Sequence, residues 1–102
     1  MLHENYTELL SVTGNGTYTL NDSLSNYKML FFIVKATASA EKHMLAGSIP
    51  VSLLRLYNSA NVMLTISTYA YNLAYEIYCN DDNTVTLLNF APSSNRFIMY
   101  GI

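Results

Sequence analysis

The sequence predicts an all-β fold: an antiparallel β-sandwich of jelly-roll-like character, with about eight strands in a single domain over residues 1–102. Three observations support it. Apolar and polar residues alternate at period two in most segments, helical spacing is weak, and clusters of Gly, Asn, Asp and Ser recur at short intervals. A chain of 102 residues can build one hydrophobic core and is too short for two.

The N-terminal third predicts three strands. Residues 6–12 form the first, and 13–16 form a turn because glycine and asparagine tolerate positive φ. Residues 17–20 alternate polar and apolar, which predicts a short second strand paired with the first. Residues 27–36 are the longest β-rich run, with apolar side chains in both alternating sets. We therefore expect a central strand that is covered on both faces.

The middle of the chain is harder to interpret. Residues 44–54 are apolar, but Pro50 cannot donate a ladder hydrogen bond, so the run predicts an edge strand, a bulge or a break at that point. Residues 53–64 could also be drawn as a helix. Asparagine and serine at 58–61 interrupt that pattern, and we assign residues 61–68 to a strand because they alternate at period two.

The C-terminal third predicts three more strands, at 73–79, 84–90 and 96–102. A tip at 69–72 precedes the first of them, and the Asx-rich turn at 80–83 is the strongest turn signal in the chain. The last strand is apolar to its final residue. Because chain ends fray unless something holds them, this predicts a terminal strand locked into the sheet, in a domain that closes a polypeptide.

The composition favours a subunit of an assembly. Hydrophobic residues make up 51% of the chain and charged residues 12%, about half of the roughly 25% charged share of soluble domains. The longest apolar run, 29–34, is flanked by Lys28 and Lys35 and falls far short of the roughly 20 residues of a membrane span. We therefore expect no membrane insertion and an apolar surface buried between subunits. A net charge of −2 with five scattered basic residues argues against nucleic acid.

The sequence indicates no catalytic residue, cofactor or metal site, and we expect no enzyme activity. Cys79, next to apolar neighbours, predicts a packed thiol in a protein made in a reducing cytoplasm. His3 and His43 have no Cys or His at ligand spacing. Asp81 and Asp82 are adjacent on a turn, where their side chains point in different directions, so a facing acid/base pair is not expected.

Tyrosine and asparagine near turns are the candidates for ligand contact, because they can stack on a sugar face and bind its hydroxyl groups. The chain has nine tyrosines, and packing under a loop remains an alternative for those near turns. The candidate ligand-binding residues are Tyr57, Asn58, Tyr69, Tyr71, Asn72, Asp81 and Asp82.

The segments at 6–10, 16–20, 24–32 and 100–102 resemble the C-terminal domain of bacteriophage tail fibre and tail spike-type proteins. The likeness lies in a glycine-β-leucine segment, a Ser-Asn-Tyr loop before an apolar strand, and a terminal Tyr-Gly-Ile; it is weak in the middle of the chain. It implies a β-sandwich head at the distal tip of a homotrimeric fibre in the virion. It also implies recognition of a bacterial surface polysaccharide or lipopolysaccharide, after synthesis in the host cytoplasm.

The apolar strand and the low charge predict that the homotrimer is held by apolar side chains. The candidate interface residues are Leu30, Phe32, Val34, Tyr100 and Ile102. One alternative is a structural trimerisation or capping domain of a viral fibre or other virion protein, without receptor contact. An enzyme such as a glycan hydrolase is a further alternative, but it lacks a nameable carboxylate pair or nucleophile.

Overall fold

A computed structural model gives the fold and describes residues 5–35, 43–56, 62–67, 72–88 and 96–102, with backbone alone at 43–46, 62–67 and 72–75. Within these ranges the chain forms strands β1 to β8 and one short helix, α1. In chain order the strands are Thr7–Thr13, Gly16–Thr19, Met29–Lys35, His43–Pro50, Val62–Ser67, Asn72–Asp81, Thr84–Leu88 and Arg96–Gly101, and α1 is Val51–Leu56. A single 3₁₀ turn at Leu24–Asn26 precedes β3.

The strands form two antiparallel sheets, and the predicted sandwich is confirmed. The first sheet has the order β1-β8-β3-β4 and the second β2-β7-β6-β5. The pairs β1 with β8 and β2 with β7 are nested along the chain as in a jelly roll, whereas the four strands in the middle of the sequence pair as β3 with β4 and β5 with β6. The last strand, β8, lies inside the first sheet between β1 and β3.

The core fills the space between the sheets. On β3, Leu30, Phe32 and Val34 are fully buried, and the Phe32 ring stacks on Phe97 of β8 with centroids 5.6 Å apart. The core side chains are Leu9, Leu10, Leu20, Leu24, Leu30, Phe32, Val34, Ile49, Val51, Leu54, Ile77, Cys79, Val85, Leu87, Phe97 and Met99. The predicted central position of β3, between β8 and β4, is confirmed.

The turn after β1 leads into the other sheet, so the predicted pairing of the first two strands is wrong. β2 pairs with β7. Gly14 has a φ of 84°, a conformation that glycine adopts without steric cost. The Tyr18 hydroxyl donates to the Gly14 carbonyl at 2.8 Å, which holds the corner closed. A glycine-rich turn therefore switches the chain between sheets here and does not make a hairpin.

Pro50 ends β4, an edge strand of the first sheet, as its missing N–H predicts. The apolar residues that follow form α1, at the point where the sequence left an edge, a bulge or a break open and where a helix over residues 53–64 was the alternative to a strand. Val51 and Leu54 lie one turn apart and bury the same face of the helix, with 3% and 0% exposure. The Val51 N–H donates to the Lys28 carbonyl at 2.8 Å, which anchors α1 beside the start of β3.

The C-terminal residues are held by the segment that enters β3. The Lys28 and Met29 N–H groups donate to the Ile102 carbonyl at 2.9 and 3.1 Å, and the Ile102 N–H donates to the Met29 carbonyl at 3.0 Å. A Cβ on Gly101 would lie 2.7 Å from the ring of Tyr27, so only glycine fits beneath that ring. The Ser-Asn-Tyr loop and the Tyr-Gly-Ile ending are thus in direct contact.

Candidate functional site

Three of the predicted interface residues are not available to a second chain. Leu30, Phe32 and Val34 are fully buried between the two sheets of a single chain. The predicted alternation of β3 is confirmed, but the set predicted to meet another subunit is the set that faces the core. Tyr100 and Ile102 are half-buried and remain accessible in part.

The opposite side of the first sheet carries apolar residues that lie outside the core, and we call it the outer face. It comprises the partly accessible Tyr6, Met29, Phe31, Ile33 and Tyr100 together with Ile98, which is buried among them. Phe31 and Ile33 of β3 lie opposite Tyr100 and Ile98 of β8, and opposed residues share a face of a sheet. The Tyr6 ring contacts Phe31 edge-on, with centroids 5.5 Å apart. Between these side chains lies an open groove of about 350 Å³.

A polar depression lies at the β6–β7 turn, and we call it the turn groove: Arg55, Cys79, Asn80, Asp81, Asp82 and Asn83. Arg55 extends from α1, and its Nε lies 2.9 Å from Oδ1 of Asp82. A guanidinium has five N–H donors, more than this one Nε contact uses. The groove thus places donors of Arg55 next to carboxylate and amide oxygens.

The backbone of the β6–β7 turn is fixed from both sides. Leu24 donates its N–H to the Asp82 carbonyl at 2.8 Å, and Leu20 donates to the Asn83 carbonyl at 2.7 Å. Oδ1 of Asp81 accepts the Asn83 N–H at 2.8 Å, in an Asx turn. The two carboxylates therefore diverge, Asp81 towards the turn and Asp82 towards Arg55, as their adjacency predicts.

Cys79 is a packed thiol, as predicted. It is 2% exposed, and its Sγ donates to the Asp81 carbonyl at 3.0 Å. Burial raises the pKa of the thiol, and the nearby carboxylates of Asp82 and Asp81 raise it further. Because the thiolate is the nucleophilic form, this cysteine is poorly suited to covalent chemistry.

A second depression adjoins Arg55 on the side of the entry to β3. Its lining includes Ser25, Tyr27, Lys28 and Ser52. The Tyr27 hydroxyl donates to Oδ2 of Asp22 at 2.7 Å. This bond, followed by those from the Ser23 N–H and the Asn26 amide, lowers the pKa of Asp22. The same bond between Tyr27 and Asp22 raises the pKa of Tyr27. Arg55 therefore lies between two polar depressions.

The predicted ligand-binding set does not form one site. Asn72 and Asp81 are the first and last residues of β6, and ten residues of strand span about 30 Å. Of the set, Asp81 and Asp82 lie in the turn groove, and the side chain of Asn72 lies outside the described part of the chain. Tyr57, Asn58, Tyr69 and Tyr71 also lie outside the described residues.

The sequence interpretation missed Arg55, Tyr27 and Lys28. Arg55 follows an apolar run, and its role depends on an ion pair with a residue 27 positions later, as the numbering of the pair shows. The Ser-Asn-Tyr pattern was noted for its resemblance, and it could have indicated a polar loop near the site. Nothing local in the sequence indicates that α1 and the β6–β7 turn meet.

Comparisons of the chain with protein-family models, with curated proteins and with solved structures gave no match. Within the described ranges, no helix combines the length and the apolar character that crossing a membrane would require. In the same residues, His, Cys, Asp and Glu form no group of three that could hold a metal ion.

Proposed function

We propose that this chain is the receptor-binding head at the distal tip of a bacteriophage tail fibre, where it recognises a bacterial surface polysaccharide or lipopolysaccharide during host attachment. The head assembles as a homotrimer and carries out no catalysis. It acts in the virion after synthesis in the host cytoplasm. The proposal depends on one observation above the others, the chemistry of the turn groove.

Sugar hydroxyl groups both donate and accept hydrogen bonds, so a site for them needs groups of both kinds. The turn groove has guanidinium N–H groups on Arg55, carboxylate oxygens on Asp81 and Asp82, and the side chain of Asn80. Fixed polar groups also lower the entropic cost of binding. The turn that carries them is held by backbone hydrogen bonds to Leu20 and Leu24.

Two of the segments that carry the resemblance, 24–32 and 100–102, also support the proposal, because they form one structural unit. Tyr27 of the Ser-Asn-Tyr loop covers Gly101 of the Tyr-Gly-Ile ending, and Lys28 and Met29 bond to Ile102. Two loose motifs at opposite ends of a chain are more informative when the fold requires them together. The contact gives a physical reason for both.

The test measures glycan binding by the purified chain. An array of bacterial polysaccharides and lipopolysaccharide cores identifies a probe, and calorimetry gives its dissociation constant per site. We expect Arg55→Gln and Asp82→Asn each to weaken binding about tenfold, the range for a charge-assisted hydrogen bond. Glu76→Gln, an acid-to-amide change five residues before Asp81 on β6, is the matched control. If no glycan binds, or if the control weakens binding as much, the recognition proposal fails.

A structural cap is the second candidate, and the apolar outer face favours it, because assembly needs a surface of this kind. In that case other segments of the virion contact the host. Exchanging residues 37–43 and 80–83 for those of another head would then leave the host range unchanged. A shifted host range would exclude the cap and support recognition by this domain.

A further inference from the structure

The outer face has apolar side chains that the fold of one chain does not cover. Phe31, Ile33 and Tyr100 are half-buried and Tyr6 is 48% exposed. Ile98 lies among them, 9% exposed, yet it is not part of the core between the sheets. A second, smaller apolar cluster therefore stands on the outside of the first sheet.

Charged residues lie at both ends of this face, with opposite signs. At one end Glu8 of β1 is opposite Tyr100, and at the other Lys35 of β3 is opposite Arg96. The side chains of Glu8 and Arg96 are exposed. Tyr100 lies four positions after Arg96 along β8, so the two ends of the face are about 13 Å apart. The face thus has an acidic end, an apolar centre and a basic end.

We propose that the outer face binds the outer face of a second copy of this chain, with the acidic end of one copy against the basic end of the next. The inference rests on the homotrimer of the proposed function: in a three-membered ring each copy places its acidic end against one neighbour and its basic end against the other, whereas a two-fold pair of these faces would contradict the trimer. An apolar centre with charged residues at its margin is the usual anatomy of a protein interface. The opposite signs make the face complementary to itself, which an unrelated partner would not require.

The polarity restricts how the copies can be arranged. Opposite ends meet in a two-fold pair with antiparallel strands, and they also meet in a closed head-to-tail ring. An arrangement that aligns the copies in parallel would bring Glu8 against Glu8 and Arg96 against Arg96. Like charges opposite each other disfavour that arrangement.

The size of the face sets the expected affinity. Four strands at about 4.8 Å spacing and seven residues at about 3.3 Å give a projected area of roughly 450 Å². Standard interfaces bury about 800 Å² on each partner. We therefore expect association in the micromolar range, which the charges at the two ends can shift measurably.

The test uses charge reversal and sedimentation of the purified chain without glycan. We expect Glu8→Lys, and separately the double variant Lys35→Glu with Arg96→Glu, to weaken association by about tenfold or more. Thr19→Lys, which adds a positive charge to β2 in the second sheet, is the control and leaves association unchanged. Circular dichroism verifies that each variant is folded.

Mixing the two charge variants gives the decisive result. One has two basic ends and the other two acidic ends, so the mixture associates more tightly than either alone. If the copies form a two-fold pair, the mixture regains the full association of the wild type. If they form a three-membered ring, association is regained only in part, because two kinds of copy cannot alternate around an odd ring. A wild-type chain that is monomeric at about 1 mM, or variants that associate like the wild type, would overturn the inference. Glycan binding can succeed or fail independently of either outcome.

Discussion

The two sides of β3 carry similar residues and have different environments. Leu30, Phe32 and Val34 are fully buried between the sheets, whereas Phe31 and Ile33 remain half-buried on the outside. Their hydrophobicity does not explain the difference. The inner set is covered by the second sheet of the same chain, and the outer set contacts its neighbours on the first sheet.

This difference separates two kinds of apolar residue. Residues of the inner set stabilise the fold of the single chain, because they remove apolar surface from water on folding. Residues of the outer set contribute less to that fold and leave surface available to another chain. Three pairs of substitutions compare a change inside with a change outside, and a fourth substitution tests the hydrogen bond that holds the Tyr27 ring over Gly101.

The largest expected effect is that of Phe32→Ala, compared with Phe31→Ala. Removing the buried ring leaves a cavity beside Phe97 and lowers the free energy of unfolding by about 3–5 kcal/mol. Phe31→Ala, on the outside, lowers it by less than about 1 kcal/mol in the separated chain. Urea unfolding at low protein concentration measures both. Equal losses would remove the distinction between the two faces.

Met99→Ala and Ile98→Ala make the same comparison on neighbouring residues of β8. Met99 is fully buried in the core, and its truncation is expected to lower the free energy of unfolding by about 2–5 kcal/mol. Ile98 is almost as buried but lies on the outer face, where its neighbours can close over the space. We expect Ile98→Ala to lower the free energy of unfolding by less than about 2 kcal/mol. A larger loss for Ile98 would mean that the outer cluster is a second core.

Gly101→Ala tests the inner end of β8, with Tyr100→Ala as its partner on the outer face. The added methyl group would contact the Tyr27 ring at 2.7 Å, so either the ring or the strand must move. Overpacking of this kind lowers the free energy of unfolding by about 1–3 kcal/mol. Adding Tyr27→Ala to Gly101→Ala relieves the clash, so the double variant loses less than the sum of the two single losses. Strict additivity would show that no clash exists.

Asp22→Asn has the smallest expected effect on stability, and the effect is a change in how stability depends on pH. Hydrogen bonds from Tyr27, Ser23 and Asn26 lower the pKa of Asp22 in the folded chain below its ordinary 3.8. Its contribution to stability is therefore complete above that pH and is lost as pH falls through the folded pKa. Asp22 raises the Tyr27 pKa above 10.0, so the hydroxyl's contribution is complete below pH 10 and is lost at higher pH.

We expect the thermal midpoint of the wild type to fall below pH 4 more steeply than that of Asp22→Asn. Thermal melts between roughly pH 2 and 7 measure the difference. Because Asp81 also accepts a hydrogen bond, from Asn83, Asp81→Asn is the control for an exposed aspartate at a turn. Parallel pH curves for the wild type and Asp22→Asn would contradict the role of the Asp22–Tyr27 bond in holding the ring over Gly101.

Much of the local structure was predictable. The turn at 80–83, the edge position at Pro50 and the central strand of the first sheet follow from Asx chemistry, the missing proline donor and an apolar run on both sides. The short helix α1 was not predicted at residues 51–56, because six residues are too few to show a helical period. The candidate site was predicted only at Asp81 and Asp82. Arg55 depends on a tertiary ion pair that no local pattern indicates.

The sequence by itself determined where the chain extends and where it turns, because alternation and turn chemistry are local properties of the backbone. The tertiary structure decided which strands share a sheet, as at the Gly14 corner, where the same turn residues could have made a hairpin. It also decided which side of β3 faces the core. Both sides are apolar, so only the position of the second sheet distinguishes them. That choice depends on contacts between residues far apart in the chain, and it is the reason why Phe32 lies in the core while Phe31 stays half-buried on the outer face.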